Sequence, residues 1–255
     1  MAETNSVKYN APALDKGLDI LEYLSKEGIP LTQAEIAQGI HRTPSEIYRM
    51  LVCLEARGYV VRGANAGKYR LSLKMYSLSH THTPFDELKR VASYPMQLLS
   101  EKTRQSCHLS IMNNDQLLII SQMRSPDAVS LSIEEGTHFP LSMTTSGIIM
   151  LSTLSAKKRK EILSRDKYYK TWNKDQKEQL NSEIDRVTKL GYRAEASKLT
   201  SGVTDIAVSI GGNAELRAVL AVSVFTSSLK EELKVESILK SMEETKAEIN
   251  KFIGG

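Results

Sequence analysis

Thr32-Gln33-Ala34-Glu35 and Thr43-Pro44-Ser45-Glu46, two segments eleven residues apart, decide how this chain is read. In each, a Thr is followed three residues later by Glu. Hydroxyl and carboxylate can then satisfy each other's free backbone amides at the start of a helix. Pro44 stands where the first helical residue belongs, the one place in a helix where its missing N–H costs nothing. Tyr59–Arg62 and Lys68–Leu73 follow as strand-like runs joined through Ala64-Asn65-Ala66-Gly67, residues suited to positive φ. Two sharply started helices and a β-ribbon describe a winged helix-turn-helix, which puts one helix into a DNA groove.

Working outward, Leu14, Leu18, Leu21 and Leu24 form one apolar stripe and predict a first helix over 13–26, ended by Gly28 and Pro30. The second helix is expected over 33–38 with Gly39 making the turn. The third is expected over 44–57, with Ile47, Leu51 and Leu54 inward and Gly58 just past its end. A polar stretch, 74–84, leads into a helix expected over 85–103, which Pro95 should kink or split. From Ser106 the pattern becomes mixed. Strands are expected at 108–112 and 117–122 around Asn113-Asn114-Asp115-Gln116, and Val129–Ile133 alternates like a strand. A buried helix is expected at 148–154, a short one capped by Ser155, and an amphipathic one at 176–190 stopping at Gly191. Strands at 205–210 and 219–225 flank Gly211-Gly212-Asn213-Ala214, and a helix over 230–252 closes the chain. Strands interleaved with helices, with two antiparallel hairpins, predict an α+β second domain with a largely antiparallel sheet.

At 255 residues there is room for two domains, each with its own core. The net charge of +4 says little, but its distribution says more. Residues 1–40 carry three Lys/Arg against six acids, a net of −3, whereas 41–74 carry seven against two, a net of +5. Positive charge thus gathers on the third helix and the wing, where phosphate neutralisation needs it. A solvated helix face has the same appearance. Cys53 and Cys107, far apart and without partner motifs, read as small buried apolar residues in a reducing compartment. No apolar run reaches the ~18–20 residues of a membrane span, and Met1–Asn10 is too polar for a signal peptide, so a cytoplasmic protein with no membrane partner is expected.

In a helix-turn-helix the start of the second helix approaches base edges. The DNA-binding candidates are therefore Ser45, Glu46, Tyr48 and Arg49, with Arg42 and Thr43 at the entrance and Thr32 at the start of the preceding helix. Arg49 can grip guanine bidentately or clamp a phosphate. Glu46 reads better as a cap than as a reader of cytosine. Lys68 and Arg70 on the wing suit backbone or minor groove, which positions without specifying sequence. In the second half, Pro140-Leu141-Ser142-Met143-Thr144-Thr145-Ser146-Gly147 sets hydroxyls directly before an apolar helix. Such a turn is a ready carboxylate or phosphate site, or simply a helix cap.

These segments resemble the IclR family of bacterial transcription regulators over nearly the whole chain. The family's opening helix appears as Ala13-Leu14-Asp15-Lys16-Gly17-Leu18-Asp19-Ile20-Leu21, and its "Pro-Leu-Thr" as Pro30-Leu31-Thr32. The recognition helix is Ser45-Glu46-Ile47-Tyr48-Arg49-Met50-Leu51, its exit Leu54-Glu55-Ala56-Arg57-Gly58-Tyr59-Val60 and the wing Gly67-Lys68-Tyr69-Arg70-Leu71. In the second half, Pro140–Gly147 is similar to the family's effector-pocket motif, and Gly191-Tyr192-Arg193-Ala194-Glu195 and Gly202-Val203 to two later ones. Ile148 replaces the usual Lys after the glycine, Lys198 stands where Glu is frequent, and Ser209 replaces a frequent Pro.

The resemblance implies a winged helix-turn-helix domain over 1–74, a linker and linker helix over 75–104, and a GAF-like effector-binding domain over 105–255. The implied effector pocket comprises Leu131, Phe139, Thr144, Thr145, Ser146, Gly147, Glu195, Asp205, Ser223 and Phe225, with Lys198 assisting an anionic ligand. A small organic acid, aromatic acid or sugar acid is the implied effector, with no further cofactor and no metal. The implied assembly is a homodimer or homotetramer on a pseudo-palindromic operator, acting as a repressor or alternatively as an activator. An enzyme and a protein-interaction module are the competing classes. No Gly-x-Ser-x-Gly elbow, phosphate-binding glycine loop, dinucleotide fingerprint or His-Glu-x-x-His is present. His80 and His82, two apart, are a weak metal signal, and His108 and His138 have no partner at ligand spacing.

Overall fold

The computed structural model describes residues 11–63, 67–79, 84–211, 217–228 and 232–253. Met1–Asn10, most of the wing turn (64–66), His80, His82 and the Gly212–Ala214 turn lie outside the described residues. The chain divides into two compact units, 1–83 and 84–255.

The first unit runs α1 (Pro12–Glu27), α2 (Gln33–Gly39), α3 (Pro44–Ala56), β1 (Val60–Arg62), β2 (Tyr69–Leu71) and α4 (Lys74–Ser79). Both helix starts form full capping boxes, Thr32 with Glu35 and Thr43 with Glu46. Ile20, Leu24, Ile36, Ile47, Leu51, Val60 and Tyr69 make the core. The stripe expected on α1 is only half correct. Leu14 and Leu18 are 61% and 45% exposed, because α1 engages the core through its second half, where Ile20 and Leu24 are buried. Gly39 does not make the turn after α2 either. It lies within the helix, where a Cβ would stand 2.0 Å from the Tyr23 ring, so it permits close packing. The left-handed residue of that turn is His41, at φ 55°. The ribbon is antiparallel with Val61 opposite Arg70, and a Leu31–Tyr69 bridge ties it to the approach to α2. Residues 74–79, expected as part of a polar linker, form α4, and Cys53, expected to be buried, is exposed on α3.

The second unit holds α5 (Pro84–Thr103), β3 (Ser106–Asn113), β4 (Gln116–Met123), β5 (His138–Pro140), a 3-10 turn (Leu141–Met143) and α6 (Thr145–Ser152). It continues with α7 (Ala156–Arg165), α8 (Lys167–Thr171), α9 (Lys174–Leu190), β6 (Tyr192–Ala196), β7 (Val203–Ile210), β8 (Ala218–Phe225) and α10 (Glu232–Ile253). Its strands pair in the order β5-β4-β3-β8-β7-β6, every neighbour antiparallel. α5 runs unbroken through Pro95 instead of splitting. Its Leu88, Val91, Ala92, Met96 and Leu99 pack with α10 on one face of the sheet, so this helix is an integral layer of the second unit. α6, α7 and α9 cover part of the other face. Val129–Ile133, expected as a strand, is irregular, and the edge strand is β5 instead.

Strand alternation divides the residues between the two layers. Along β8, Leu220, Val222 and Val224 join the α5/α10 core, whereas Val219 and Ala221 join the α6/α9 core. On β3, Cys107, Leu109 and Ile111 take the first face. His108 and Ser110, the alternate residues, therefore point with Ser223 toward α6. A register shift between Leu109 and Ser110 leaves Ile120 without a partner, so Ile119 rejoins the second face.

Candidate functional site

On the first unit, Gln33 Nε2 donates to the Pro44 carbonyl at 2.8 Å and pins the start of α2 to the start of α3. Glu46 is committed locally. Its Oε2 accepts from the Thr43 amide and the Thr43 hydroxyl, both at 2.9 Å, and its Oε1 pairs with Lys16 Nζ at 3.3 Å. The Thr43 amide and hydroxyl, followed by Lys16, hold its carboxyl down at about 2. Glu46 is thus a cap and an anchor for α1, and its carboxylate is occupied. Thr32 is likewise engaged by Glu35. Arg42, Ser45, Tyr48, Arg49 and Arg70 are exposed, and among the described residues Arg42, Arg49 and Arg70 carry no ion pair. The Thr32 amide and hydroxyl hold the Glu35 carboxyl below its ordinary value, with a smaller contribution from Lys68 of the wing. A capped helix presenting uncommitted guanidinium groups, flanked by a basic ribbon, suits a polyanionic duplex.

The second unit holds a cavity of about 360 Å³ between the α6 side of the sheet, the segment 131–137 and the loop after β6. Of the residues expected there, Leu131, Phe139, Thr144, Thr145, Ser146, Asp205 and Ser223 line it. Four do not. Gly147 packs under the 3-10 turn, where a Cβ would stand 2.1 Å from the Leu141 carbonyl oxygen, so its role is close packing. Glu195 pairs with Arg186 of α9. Lys198 is exposed, with its ammonium 5.7 Å from the Trp172 ring centre, and does not line the cavity. Phe225 lines a separate small cleft beside Arg104 and Asp127.

The α6 end of the cavity is partly capped. Thr144 Oγ1 accepts from the Gly147 amide at 3.0 Å, and the Thr144 carbonyl accepts from the Ile148 amide at 3.1 Å. The Thr145 and Ser146 amides are not engaged by the Thr144 side chain and lie at the positive end of the helix dipole. At the sheet end, Ser223 Oγ donates to Asp205 Oδ1 at 2.7 Å. His108 lies beside them, buried. Desolvation pulls its pKa down to about 4 against the opposing pull of the Asp205 carboxylate, so the imidazole is neutral at pH 7. Glu134 is the second carboxylate in the wall, and among the described residues no Lys or Arg lines it.

His108 and Arg193 are the residues that sequence reading missed. Arg193 is 4% exposed and donates through Nη1 to Thr145 Oγ1 and through Nη2 to Glu183, both at 2.8 Å. Polar residues alternating with apolar ones in β3 are the only sequence signal for His108, and Arg193 lay hidden inside a motif. Among the described residues no His, Cys, Asp or Glu cluster could hold a metal, and no described helix is long and apolar enough to cross a membrane.

Residues 13–64 match the model of the IclR helix-turn-helix domain, and 82–251 that of the bacterial transcriptional regulator IclR C-terminal domain. The regulator KdgR of Dickeya chrysanthemi is 29% identical over 198 residues, covering 76% of this chain but only 64% of KdgR, slightly under two thirds. The transcriptional repressor AllR of Escherichia coli K12 is 22% identical over 203 residues, 78% of this chain and 74% of AllR. A crystal structure of an IclR homolog from Microbacterium hydrocarbonoxydans, complexed with 4-hydroxybenzoate, superposes with a TM-score of 0.77 at 20% identity, covering 94% of this chain and 99% of that one.

Proposed function

The chain belongs to the IclR family of bacterial transcriptional regulators, and from that premise we propose that it is a sequence-specific DNA-binding repressor controlled by a small hydroxy acid. The observation that carries the ligand class is the polarity of the cavity. One end offers the Thr145 and Ser146 amides of α6, and the other offers Asp205 and Ser223. A carboxylate suits the first end, where the amides and helix dipole favour negative charge. The Asp205 end repels a second anion and accepts a hydroxyl instead. About 360 Å³ suits an organic acid or sugar acid, within the range of small-molecule sites. The 4-hydroxybenzoate in the Microbacterium homolog joins the same two groups, and the repressor name of AllR supports the sign of regulation.

One winged head reads a short half-site, so specificity calls for a homodimer or larger homo-oligomer on a pseudo-palindrome. Arg42, Ser45, Tyr48 and Arg49 then face the groove, with Thr43 shaping the start of the helix, Thr32 beside it and Lys68 and Arg70 on the backbone. The ligand regulates only if it binds the DNA-competent and DNA-incompetent arrangements with unequal affinity. The test has two arms. Gluconate, lactate and 4-hydroxybenzoate are titrated calorimetrically beside their alcohols sorbitol, propane-1,2-diol and 4-hydroxybenzyl alcohol. The upstream region of the protein's own operon is assayed for retention with and without the binding acid. Salt-sensitive, sequence-selective retention that the acid weakens is expected. Equal retention of any duplex, or binding of the alcohols alone, contradicts the proposal.

A further inference from the structure

We propose that Arg193 is the positioning residue that sets ligand selectivity at the α6 end of the cavity. It holds Thr145 Oγ1 as an acceptor and so presents the Thr145 hydroxyl proton to the ligand. The inference rests on the carboxylate reading of the cavity. Thr145 lines the cavity wall and is itself buried. A threonine hydroxyl both donates and accepts, so by itself it does not distinguish a ligand oxygen that needs a proton from one that offers it. A guanidinium has donors only. With Nη1 of Arg193 2.8 Å from Oγ1, the hydroxyl must accept on that side. Among the described residues Oγ1 makes no other hydrogen bond, so its proton is left for whatever occupies the cavity. An ambivalent group becomes a fixed donor adjoining the first two amides of the same helix turn.

The placement of Arg193 is not explained by stability. It is the single buried Lys or Arg side chain among the described residues. Its Nε is buried without a partner, and its ion-pair partner Glu183 is still 19% exposed. Buried ion pairs are commonly replaced by apolar side chains without loss of stability. What this one supplies is positive charge one hydroxyl away from a cavity that no Lys or Arg among the described residues lines. The fixed donor excludes a group that can only donate, such as an ammonium, and the nearby positive charge favours a carboxylate over a neutral hydroxyl at Thr145. Arg193 reaches this position because β6 pairs with β7 with Arg193 opposite Ala207, which faces the α6/α9 layer.

The experiment uses the full chain and the same three pairs of acid and matched alcohol. Arg193→Met and Thr145→Val are each expected to weaken the best-binding acid by about tenfold or more, the scale of a lost hydrogen bond to a charged group. The matched alcohol should change by less than about threefold, a split that a merely structural role would not produce. Thr145→Ser, which keeps the hydroxyl, should keep the preference, and the double variant Arg193→Met/Thr145→Val should lose no more selectivity than either single one. Should Arg193→Met fail to fold, Thr145→Val and Glu183→Gln decide. Glu183→Gln leaves the Arg193–Thr145 bond in place and should retain or raise the preference for the acid. Equal loss of acid and alcohol in Arg193→Met or Thr145→Val, or an unchanged preference in either, overturns the role of Arg193 while the carboxylate reading stands. A wild-type protein that prefers none of the acids to its alcohol overturns that reading and this inference with it.

Discussion

Replacing Gly147 by Ala sets two general rules against each other, and the structure says which one wins. Alanine is a better helix former than glycine by up to about 1 kcal/mol, so propensity alone makes the substitution in α6 stabilising. The added Cβ, however, would stand 2.1 Å from the Leu141 carbonyl oxygen and 2.7 Å from its carbonyl carbon and Cα. All three are backbone atoms of a buried turn, and no side-chain rotation relieves them. Clearing the closest contact needs a displacement of about 1 Å in an interior where one methylene is felt. Overpacking costs about 1–3 kcal/mol, and a backbone obstacle places this case at the upper end. Against the helix gain, the net loss is about 2 kcal/mol. For a unit of this size that lowers Tm by roughly 4–8 °C. Trp172 is the chain's single tryptophan and packs against the same α6 core, so its fluorescence reports this transition alone. Gly17→Ala in α1 is the control: nothing lies within 4 Å of its Cβ, and the first unit should gain about 0.5–1 kcal/mol by far-UV circular dichroism. An unchanged or raised Trp172 transition in Gly147→Ala would refute the packing argument.

Three further outcomes are expected. Arg49→Ala should weaken operator binding by about 1–3 kcal/mol and relax selectivity at one base position if it reads guanine, whereas Arg70→Ala should weaken all sequences alike and reduce the salt slope by about one; titration by fluorescence anisotropy at several salt concentrations separates the two. His108 has a folded pKa of about 4, below the usual imidazole value, so the unfolded state binds the extra proton in between. Stability of the second unit should therefore fall as pH drops from about 6.5 to about 4, at up to about 1.4 kcal/mol per pH unit, and His108→Gln should flatten that slope in urea melts. Glu46, with its folded pKa depressed to about 2, contributes stability to the head that is present above its ordinary value and lost as pH falls through about 2. Glu46→Ala should abolish that acid dependence and lower the head's melting temperature at neutral pH, and Glu46→Gln should do less harm by keeping an acceptor for the Thr43 amide.

The helix starts at Thr32 and Thr43 were legible because a capping box spans only four residues, and local signals likewise marked Ser155 and the left-handed glycines Gly28, Gly58 and Gly191. The β3–β4 hairpin was legible too, since Asn114 and Asp115 adopt the positive φ that their types favour. Misreadings arose where a local pattern met more than one tertiary use. Leu14 and Leu18 share the spacing of a buried stripe yet lie beyond the reach of the core. Pro95 did not end α5, because packing of Met96 and Leu99 on the sheet overrides one missing hydrogen bond. Val129–Ile133 alternates like a strand but found no neighbour to pair with.

Sequence by itself therefore determined the capped helices, the β-hairpins, the order of the two units and the turn at Thr144–Gly147, because each depends on interactions within one helical turn or one hairpin. Tertiary structure alone decided which side chains share the cavity. Thr145 meets Arg193 across 48 residues and Ser223 meets Asp205 across 18, encounters created by strand register rather than by spacing along the chain. Glu195 stands opposite Asp205 on the same face, but pairs with Arg186 of α9 and does not line the cavity. A side chain's face follows from alternation, but what waits on that face is settled only when the neighbouring strand and the covering helix are in place.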